Sequence, residues 1–191
     1  MTIWFTADWH FNHDREFIYK PRGFDNIYTM NEAIIERHNK IITPTDTVYV
    51  LGDLCLGGGS DEAIRSAKKM IQSLKGNLKV ILGNHDTDRR TQMYNECWNV
   101  EIIGYADMIH IEKYHFYISH FPTLTSNLDE NKSLKQRTLN LYGHTHQKTN
   151  FLNDSPLNYH VGVDSHNCEP VDVLTIISEM KDKVKECMEY L

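Results

Sequence analysis

The stretch KVILGNHD, residues 79–86, decides the architecture of this chain. Consecutive apolar residues, typical of a buried β-strand, lead into a glycine that is followed by an amide, an imidazole and a carboxylate. Four other apolar runs end in similar polar side chains: they are IWFTADWH (3–10), VYVLGD (48–53), HFYISH (115–120) and LNLYGHTH (139–146). The repeated pattern predicts strands whose carboxyl ends carry the chemistry of the protein.

These strand ends are expected to share one rim, because ligands of open α/β sheets bind outside the carboxyl ends of the strands. Asp8 and His10 are spaced i, i+2, as are His144 and His146, and in extended backbone such a pair points to the same side. Glycines stand before three of the polar groups, where they permit sharp exits from the strands and close backbone approach. The sequence therefore predicts one shared site.

A metal site is the interpretation that explains this clustering. A lone Asp or His at a strand end is usually a turn residue, but so many ends of one kind are not expected by chance. Imidazoles and carboxylates without thiolate suit Zn, Mn, Fe or Ni. The candidates are too many for one ion and suit two ions that share a bridging carboxylate. They are Asp8, His10, Asp53, Asn84, His120, His144 and His146.

Length and charge restrict the function classes. The 191 residues predict a single domain, residues 1–191, at roughly 150 residues per domain. Lys and Arg number 20 against 26 Asp and Glu, so at a formal charge of −6 we expect neither tight duplex DNA binding nor a membrane partner. The chain shows no secretory signal, no apolar run near the ~20 residues of a membrane helix and no Cys-x-x-Cys. We therefore expect a cytoplasmic protein.

The order of helix-like and strand-like segments predicts an α/β protein with a mixed sheet or two packed sheets. Residues 29–42 are predicted as a helix that begins with a capping box of Thr29 and Glu32. Ser60 is predicted to cap the next helix. Residues 171–176 are predicted as a strand, and a last helix is predicted to continue to Leu191.

In this order, the motifs Asp-x-His, Gly-Asp, Gly-Asn-His-Asp, a lone His and Gly-His-x-His resemble those of the calcineurin-like metallophosphoesterases, from residue 8 to residue 146. Residues 8–13 and 161–164 further resemble a branch of small, stand-alone bacterial and phage members. The resemblance implies a four-layer α-β-β-α sandwich with mixed sheets. Leu56 departs from the pattern, because many members carry an acidic or amide residue there.

The resemblance also implies roles for the site residues. One ion is expected on Asp8, His10, Asp53 and His146, and the second on Asp53 as the bridge with Asn84, His120 and His144. The departure at Leu56 thus concerns the hydrogen bonds around the ligands, since every expected ligand is present. His85 is expected to face the substrate as an acid or transition-state stabiliser, with Asp86 orienting it.

By the same resemblance, we expect a hydrolase that uses two divalent metal ions (Mn, Fe, Zn or Ni). It would cleave phosphodiester or phosphomonoester bonds by attack of a metal-bridging hydroxide. Diesters are favoured because stand-alone members often act on them, and small phosphoesters, cyclic nucleotides and short nucleic acids all stay open as substrates. The alternative is a non-catalytic scaffold that binds a protein partner. Such members typically lose ligands or the catalytic histidine, and both are present in this chain.

Residues near the first motif are candidates for substrate binding: Asn12, His13 and Arg15. The alternatives are a solvated loop for His13 and a surface charge for Arg15. The sequence GGGS at 57–60 lacks the Gly-Lys-Ser/Thr of a P-loop, so a turn with a helix cap is favoured over an anion cradle. The loop that carries Asp164, His166 and Asn167 is a further candidate for lining the pocket. His38 falls on the buried face of its predicted helix.

Overall fold

The computed structural model describes residues 1–123 and 132–189, which form two β-sheets with helices packed against them. The described strands are β1 (Ile3–Thr6), β2 (Thr47–Leu51), β3 (Asn77–Ile81), β4 (Val100–Gly104), β5 (Ala106–Ile111), β6 (Tyr114–Ser119), β7 (Thr138–Tyr142), β8 (Asn158–His160) and β9 (Val171–Asp172). The described α-helices are α1 (Glu16–Tyr19), α2 (Ile27–Ile41), α3 (Asp61–Gln72), α4 (Asp88–Asn95) and α5 (Val173–Glu189). The predicted sandwich of mixed sheets with flanking helices is confirmed.

The strand order brings the polar strand ends together. In the first sheet the order is β4-β3-β2-β1-β9, with β1 to β4 parallel and β9 antiparallel to β1. In the second sheet the order is β5-β6-β7-β8, with β5 antiparallel to β6 and the other pairs parallel. Because β1, β2 and β3 are parallel neighbours, and β6 and β7 are too, the ends of each set lie on one edge. An isolated bridge between Ala7 and Gly162 joins the segments that follow β1 and β8.

Apolar side chains form two cores on opposite faces of the first sheet. Val48 and Val50 of β2 belong to a core that includes side chains of α2 and α3. Leu51 of β2 belongs to a second core that includes Phe116 of β6 and Met180 of α5. Since successive side chains of a strand alternate between faces, the first sheet lies between helices on one side and the second sheet on the other. This packing holds the two sets of strand ends at a constant separation.

The N-terminal caps of two helices test the local sequence predictions. α3 begins as predicted, because the Ser60 side chain accepts a hydrogen bond from the N–H of Ala63. The capping box predicted at Thr29 is wrong. α2 begins at Ile27, and the Asn26 side chain is the cap, accepting from the N–H of Thr29. Asn and Thr are both good caps, so the pattern alone did not separate them.

The strand predicted for residues 171–176 is wrong beyond Asp172. The Asp172 carboxylate accepts hydrogen bonds from the N–H groups of Leu174 and Thr175 and from the Thr175 hydroxyl. These bonds cap the first turn of α5 in a segment whose β-branched residues favour a strand. Burial of Ile176 in the second core further stabilises the helical conformation of this segment.

The last helix is described up to Glu189. Its predicted continuation to Leu191 therefore lies outside the described residues, as does the end of the predicted domain. Within the described residues, none of the helices combines the length and the apolar character that crossing a membrane requires.

Candidate metal centre

The polar strand ends meet where the two sheets approach each other. The N–H of Asp8 donates to the carbonyl of Gly52, and the N–H of His10 donates to the carbonyl of Asp53, each at 3.0 Å. The segments after β1 and β2 are thereby fixed together. The N–H of His144, which follows β7, donates to Asp8 Oδ2 at 2.9 Å and ties the second sheet to the first.

Several predicted ligands have left-handed backbone conformations, with φ between 48° and 67°. They are Asp8, His10, Asp53, His144 and His146. The prediction that the i, i+2 pairs lie in extended backbone is therefore wrong, because the chain turns sharply at each of these positions. A left-handed conformation in a residue other than glycine costs on the order of 1–3 kcal/mol and persists only where the surrounding structure holds it. The fold, and not local preference, sets these side-chain positions.

Two overlapping groups of side chains could each hold a metal ion. Ligand atoms of Asp8, His10 and His146 lie within 4.8 Å of one another, and so do those of Asp8, Asp53 and His120. Asp53 Oδ2 is 3.6 Å from His10 Nε2 and 3.5 Å from His120 Nε2, so it lies between the two groups. Both carboxylates are therefore central, with imidazoles on either side.

The remaining predicted ligands surround His120. Its Nδ1 lies 2.8 Å from the carbonyl oxygen of Leu51, which only accepts, so the ring carries its proton there and Nε2 has a free lone pair. This Nε2 faces Asn84 Oδ1 at 2.9 Å and His144 Nδ1 at 3.2 Å. Two acceptors that face each other, Nε2 and Oδ1, are satisfied by a cation between them. The structure thus brings all the predicted ligands into one cluster.

The burial of the candidate ligands also indicates a metal site. Burial raises the pKa of Asp8 to about 7, and burial also lowers the pKa values of His10 and His144. Among the residues that the structure describes, none offers a hydrogen-bond partner to the buried Nε2 of His10. A divalent cation would pair with the buried carboxylates and give the Nε2 of His10 a partner, so the donor set fits metal ions.

Glycines provide the space for the carboxylate and imidazole groups. A Cβ added to Gly83 would collide with the Asp53 carboxylate, and one added to Gly52 would lie 2.5 Å from His120 Nδ1. The close backbone approach predicted at these glycines is therefore present, since any larger residue would displace a candidate ligand.

Arg22 is a site residue that the sequence analysis missed. Its buried guanidinium donates to the two oxygens of Asp164, at 3.0 and 2.8 Å, and to the carbonyl oxygens of Asp8 and Trp9, at 2.9 and 3.2 Å. Asp164 Oδ2 also lies 2.8 Å from Nδ1 of His146. When that Nδ1 carries the proton, Nε2 of His146 keeps its lone pair for a metal ion.

The charges of Arg22, Asp164 and His146 affect the pKa values of this group. Burial opposes the charged form of His146, but the hydrogen bond to Asp164 and the Asp8 charge outweigh it and raise the pKa of His146. Burial likewise opposes ionisation of Asp164, yet His146 and Arg22 hold its pKa well below the usual range. Arg22 follows Pro21 in a turn, where nothing in the sequence distinguishes it from a surface arginine.

His85 and Asp86 occupy different environments. The His85 side chain is 41% exposed, with Nε2 3.9 Å from Asp53 Oδ2, and its backbone N–H donates to Asp53 Oδ1 at 2.9 Å. Asp86 is buried, and its Oδ2 accepts from the N–H groups of Asp53 and Gly83, each at 2.8 Å. Its Oδ1 accepts from the Tyr94 hydroxyl at 2.7 Å. Asp86 therefore fastens the loops after β2 and β3 to each other, and these bonds do not involve the His85 ring.

The candidate substrate residues differ in their surroundings. His13 lies against the centre, with Nδ1 3.2 Å from His10 Nδ1, and burial lowers the pKa of His13 to about 4. Arg15 is exposed. The Asn12 side chain is engaged with the protein itself, because it accepts from Asn31 at 3.2 Å and donates to Ser66 Oγ at 3.3 Å.

The loop after β8 lines a small cavity of about 230 Å³. Asp164 and Asn167 contribute to its wall together with Arg22 and Lys148. The His166 ring is turned elsewhere, with Nε2 2.9 Å from the carbonyl oxygen of His160. Of the three loop residues considered from the sequence, Asp164 is thus the one that contacts a predicted metal ligand.

Comparisons with known proteins concern the family and the fold of the chain. The sequence model of the calcineurin-like phosphoesterase family matches residues 1–179. Uncharacterized protein MJ1445 of Methanocaldococcus jannaschii is 29% identical over 187 residues, covering 96% of this chain and 93% of that protein. The crystal structure of AQ665, a protein of unknown function from Aquifex aeolicus, has a TM-score of 0.68 at 20% identity, covering 93% of this chain and 98% of that one. A novel archaeal phosphodiesterase has a TM-score of 0.48 at 20% identity, covering 91% and 99%.

Proposed function

This chain belongs to the calcineurin-like phosphoesterase family, and on that premise we propose that it is a phosphodiesterase dependent on two divalent metal ions. The observation that carries the proposal is the convergence of two buried carboxylates and several imidazoles into two groups that share Asp8. The Nε2 of His10, which has no hydrogen-bond partner among the described residues, adds to the support because a metal ion at the centre would give it one.

We assign the ligands as the family resemblance implies. Asp8, His10, Asp53 and His146 would hold one ion, and Asp53, Asn84, His120 and His144 the other. Mn, Fe, Zn and Ni are the metals that imidazole and carboxylate donors suit. When bound, such ions act as Lewis acids toward a phosphoryl group and make a water molecule more acidic.

The protein's own groups would position and protonate the substrate. The exposed ring of His85 lies beside Asp53, so a proton on Nε2 of His85 can be donated to a phosphoryl oxygen or to the leaving oxygen. Asp86 contributes indirectly, by keeping the backbone of Asp53 and Gly83 in place. Arg22 and Asp164 orient His146 from behind the centre.

We favour diesters over monoesters, as the resemblance to stand-alone members suggests. Small phosphoesters, cyclic nucleotides and short nucleic acids fit an acidic chain better than duplex DNA does. We also propose that residues 1–191 act as one domain, because both sheets contribute candidate ligands. A cytoplasmic location is proposed as well, supported by the buried free thiols of Cys55, Cys97 and Cys168.

The test is an assay of bis-4-nitrophenyl phosphate and 4-nitrophenyl phosphate with Mn, Ni or Zn, before and after chelation. We expect metal-dependent hydrolysis that is faster with the diester and is lost with chelator. Faster hydrolysis of the monoester would contradict the diesterase assignment alone. Absence of turnover of both compounds with every metal would contradict the enzyme assignment and favour the partner-binding scaffold.

A further inference from the structure

A cavity of about 740 Å³ opens beside the candidate metal centre, between the segment after β1 and the first turns of α2 and α3. We call it the side cavity. His13 is one of its lining residues, and the ring of His13 lies 5.2 Å from that of His10 and 6.4 Å from that of His85, measured between centroids. The side cavity therefore lies next to imidazoles of the candidate metal centre.

The inner wall of the side cavity is held in place by contacts within the protein. Asn12 is bound to Asn31 and to Ser66 by side-chain hydrogen bonds. Gly57 packs so closely against Asn12 that a Cβ on Gly57 would collide with it. This wall is thus preformed, so contact with it costs a ligand little reorganisation of the protein.

The charged side chains that line the side cavity carry a net charge of about −1. Asp14 and Glu62 contribute two carboxylates, against the single guanidinium of Arg15. Within residues 1–123 and 132–189, neither carboxylate takes part in an ion pair. Sugar hydroxyls could donate hydrogen bonds to these two carboxylates, whose charges would repel a second phosphate in the cavity.

The rim of the side cavity presents an aromatic face. Tyr28 lines the cavity and is 74% exposed, and Phe17, which packs edge-on against His13, is 69% exposed. Exposed aromatic rings stack nucleobases without regard to their sequence. The cavity therefore combines a stacking surface with hydrogen-bond acceptors, which is the chemistry of a nucleoside site.

We propose that the side cavity binds an uncharged nucleoside arm of the substrate, with the base on Tyr28 and the sugar hydroxyls toward Asp14 and Glu62. This inference rests on the proposed phosphodiesterase activity and narrows its substrate. The favoured compounds are phosphodiesters whose nucleoside arm bears no further phosphate. An internal linkage of a nucleic acid strand would place another phosphate in the cavity and is disfavoured.

The first experiment compares two esters with the same leaving group on the metal-loaded enzyme. They are thymidine 5′-(4-nitrophenyl phosphate) and methyl 4-nitrophenyl phosphate. We expect kcat/KM to be about tenfold or more higher for the thymidine ester, and Tyr28→Ala to remove roughly tenfold of this preference. Ala63→Trp, which places an indole in the cavity, should lower the same ratio, whereas Ala106→Trp at an exposed position of β5 should leave it unchanged.

The second experiment tests the charge of the wall with thymidine 3′-phosphate 5′-(4-nitrophenyl phosphate). We expect the wild-type enzyme to hydrolyse it more slowly than the uncharged thymidine ester, and Glu62→Lys to reverse the order. Equal kcat/KM for the thymidine and methyl esters, or an unchanged ratio in both Tyr28→Ala and Ala63→Trp, would overturn the inference and leave the proposed function standing. Absence of turnover of every ester would contradict the proposed function itself.

Discussion

The imidazoles of the centre differ in how far solvent reaches them. His10 and His120 are almost fully buried, whereas the His85 side chain is 41% exposed. A metal ligand is best held rigidly, while a proton donor must reach a substrate that comes and goes. This difference separates the proposed role of His85 from those of His10 and His120, although all three lie close to Asp53.

We expect His85→Ala to lower kcat by about 10²–10⁴-fold while the bound metal is retained. The backbone N–H of residue 85 donates to Asp53, so the substitution keeps that contact. Steady-state kinetics and elemental analysis of the purified variant provide the measurement. His110→Ala on exposed β5 is the matched control and should keep full activity. Loss of metal from His85→Ala would show that His85 is a ligand.

Asp164 is expected to act through His146. Replacement by Asn removes the charge opposite buried Arg22 and weakens the acceptor of the His146 proton. We expect Asp164→Asn to bind one of the two metal ions about 10–100-fold more weakly and to keep the other. Equilibrium dialysis followed by elemental analysis measures this stoichiometry.

The control for Asp164→Asn is Asp46→Asn. Asp46 is also buried, but its carboxylate accepts from the N–H groups of Thr2 and Thr43 and has no contact with the centre. This variant should lower the free energy of unfolding and retain both ions. Wild-type affinity for both ions in Asp164→Asn would contradict the positioning role.

At the scale of elements, the turns that follow the strands control the centre. The turn after β3 carries Gly83, whose missing side chain makes room for the Asp53 carboxylate at the end of β2. Asp86 binds the same two loops by its hydrogen bonds. A change in one turn is therefore expected to affect ligands on another.

Gly83→Ala tests this coupling between turns. The added methyl group displaces Asp53, so we expect weaker metal binding and a loss of roughly 1–3 kcal/mol in the free energy of unfolding. Gly59→Ala is the matched control, because its added Cβ would meet no atom within 4 Å. It should change stability by no more than about 0.5 kcal/mol. Equal metal affinity in the two variants would show that the turn after β3 tolerates a side chain.

For the whole molecule, stability depends on a buried imidazole outside the centre. His38 of α2 is fully buried, and its Nε2 donates to the carbonyl of Lys75 at 2.9 Å. Burial lowers the pKa of His38 from 6.5 to about 4. Between about pH 6.5 and pH 4, the unfolded chain therefore binds a proton that the folded protein does not bind. Its contribution to stability is complete above pH 6.5 and declines as the pH falls toward 4.

Between pH 6.5 and pH 5, this linkage should remove about 2 kcal/mol of the free energy of unfolding. Urea unfolding in the presence of chelator, at several pH values, isolates the effect from metal binding. His38→Gln does not titrate but can still donate to Lys75, so its stability should depend less on pH by that amount. Parallel pH curves for the wild-type protein and His38→Gln would contradict the prediction.

The local sequence pattern predicted secondary structure correctly where a single local signal was present. Buried strands followed by glycine and a polar residue were predicted correctly, because the signals for a buried strand and for a turn both come from neighbouring residues in the sequence. Local pattern failed where two local signals competed. Asn26 and Thr29 are both good caps for α2, and the β-branched residues after Asp172 oppose the cap that Asp172 forms. In both cases a residue in the first turn of the helix is buried, Ile27 in α2 and Ile176 in α5.

The sequence by itself determined which side chains stand at the strand ends, the alternation of elements and the family resemblance, since all of these depend on residues close along the chain. Only the tertiary structure decided how the two sheets meet, which carboxylates are central, and that Arg22 pairs with Asp164, 142 positions away. It also decided the left-handed backbone of the candidate ligands and the presence of the side cavity. These features depend on packing between distant segments, which stabilises the strained turns and the buried charge pair. Such packing does not produce a periodic pattern in the sequence.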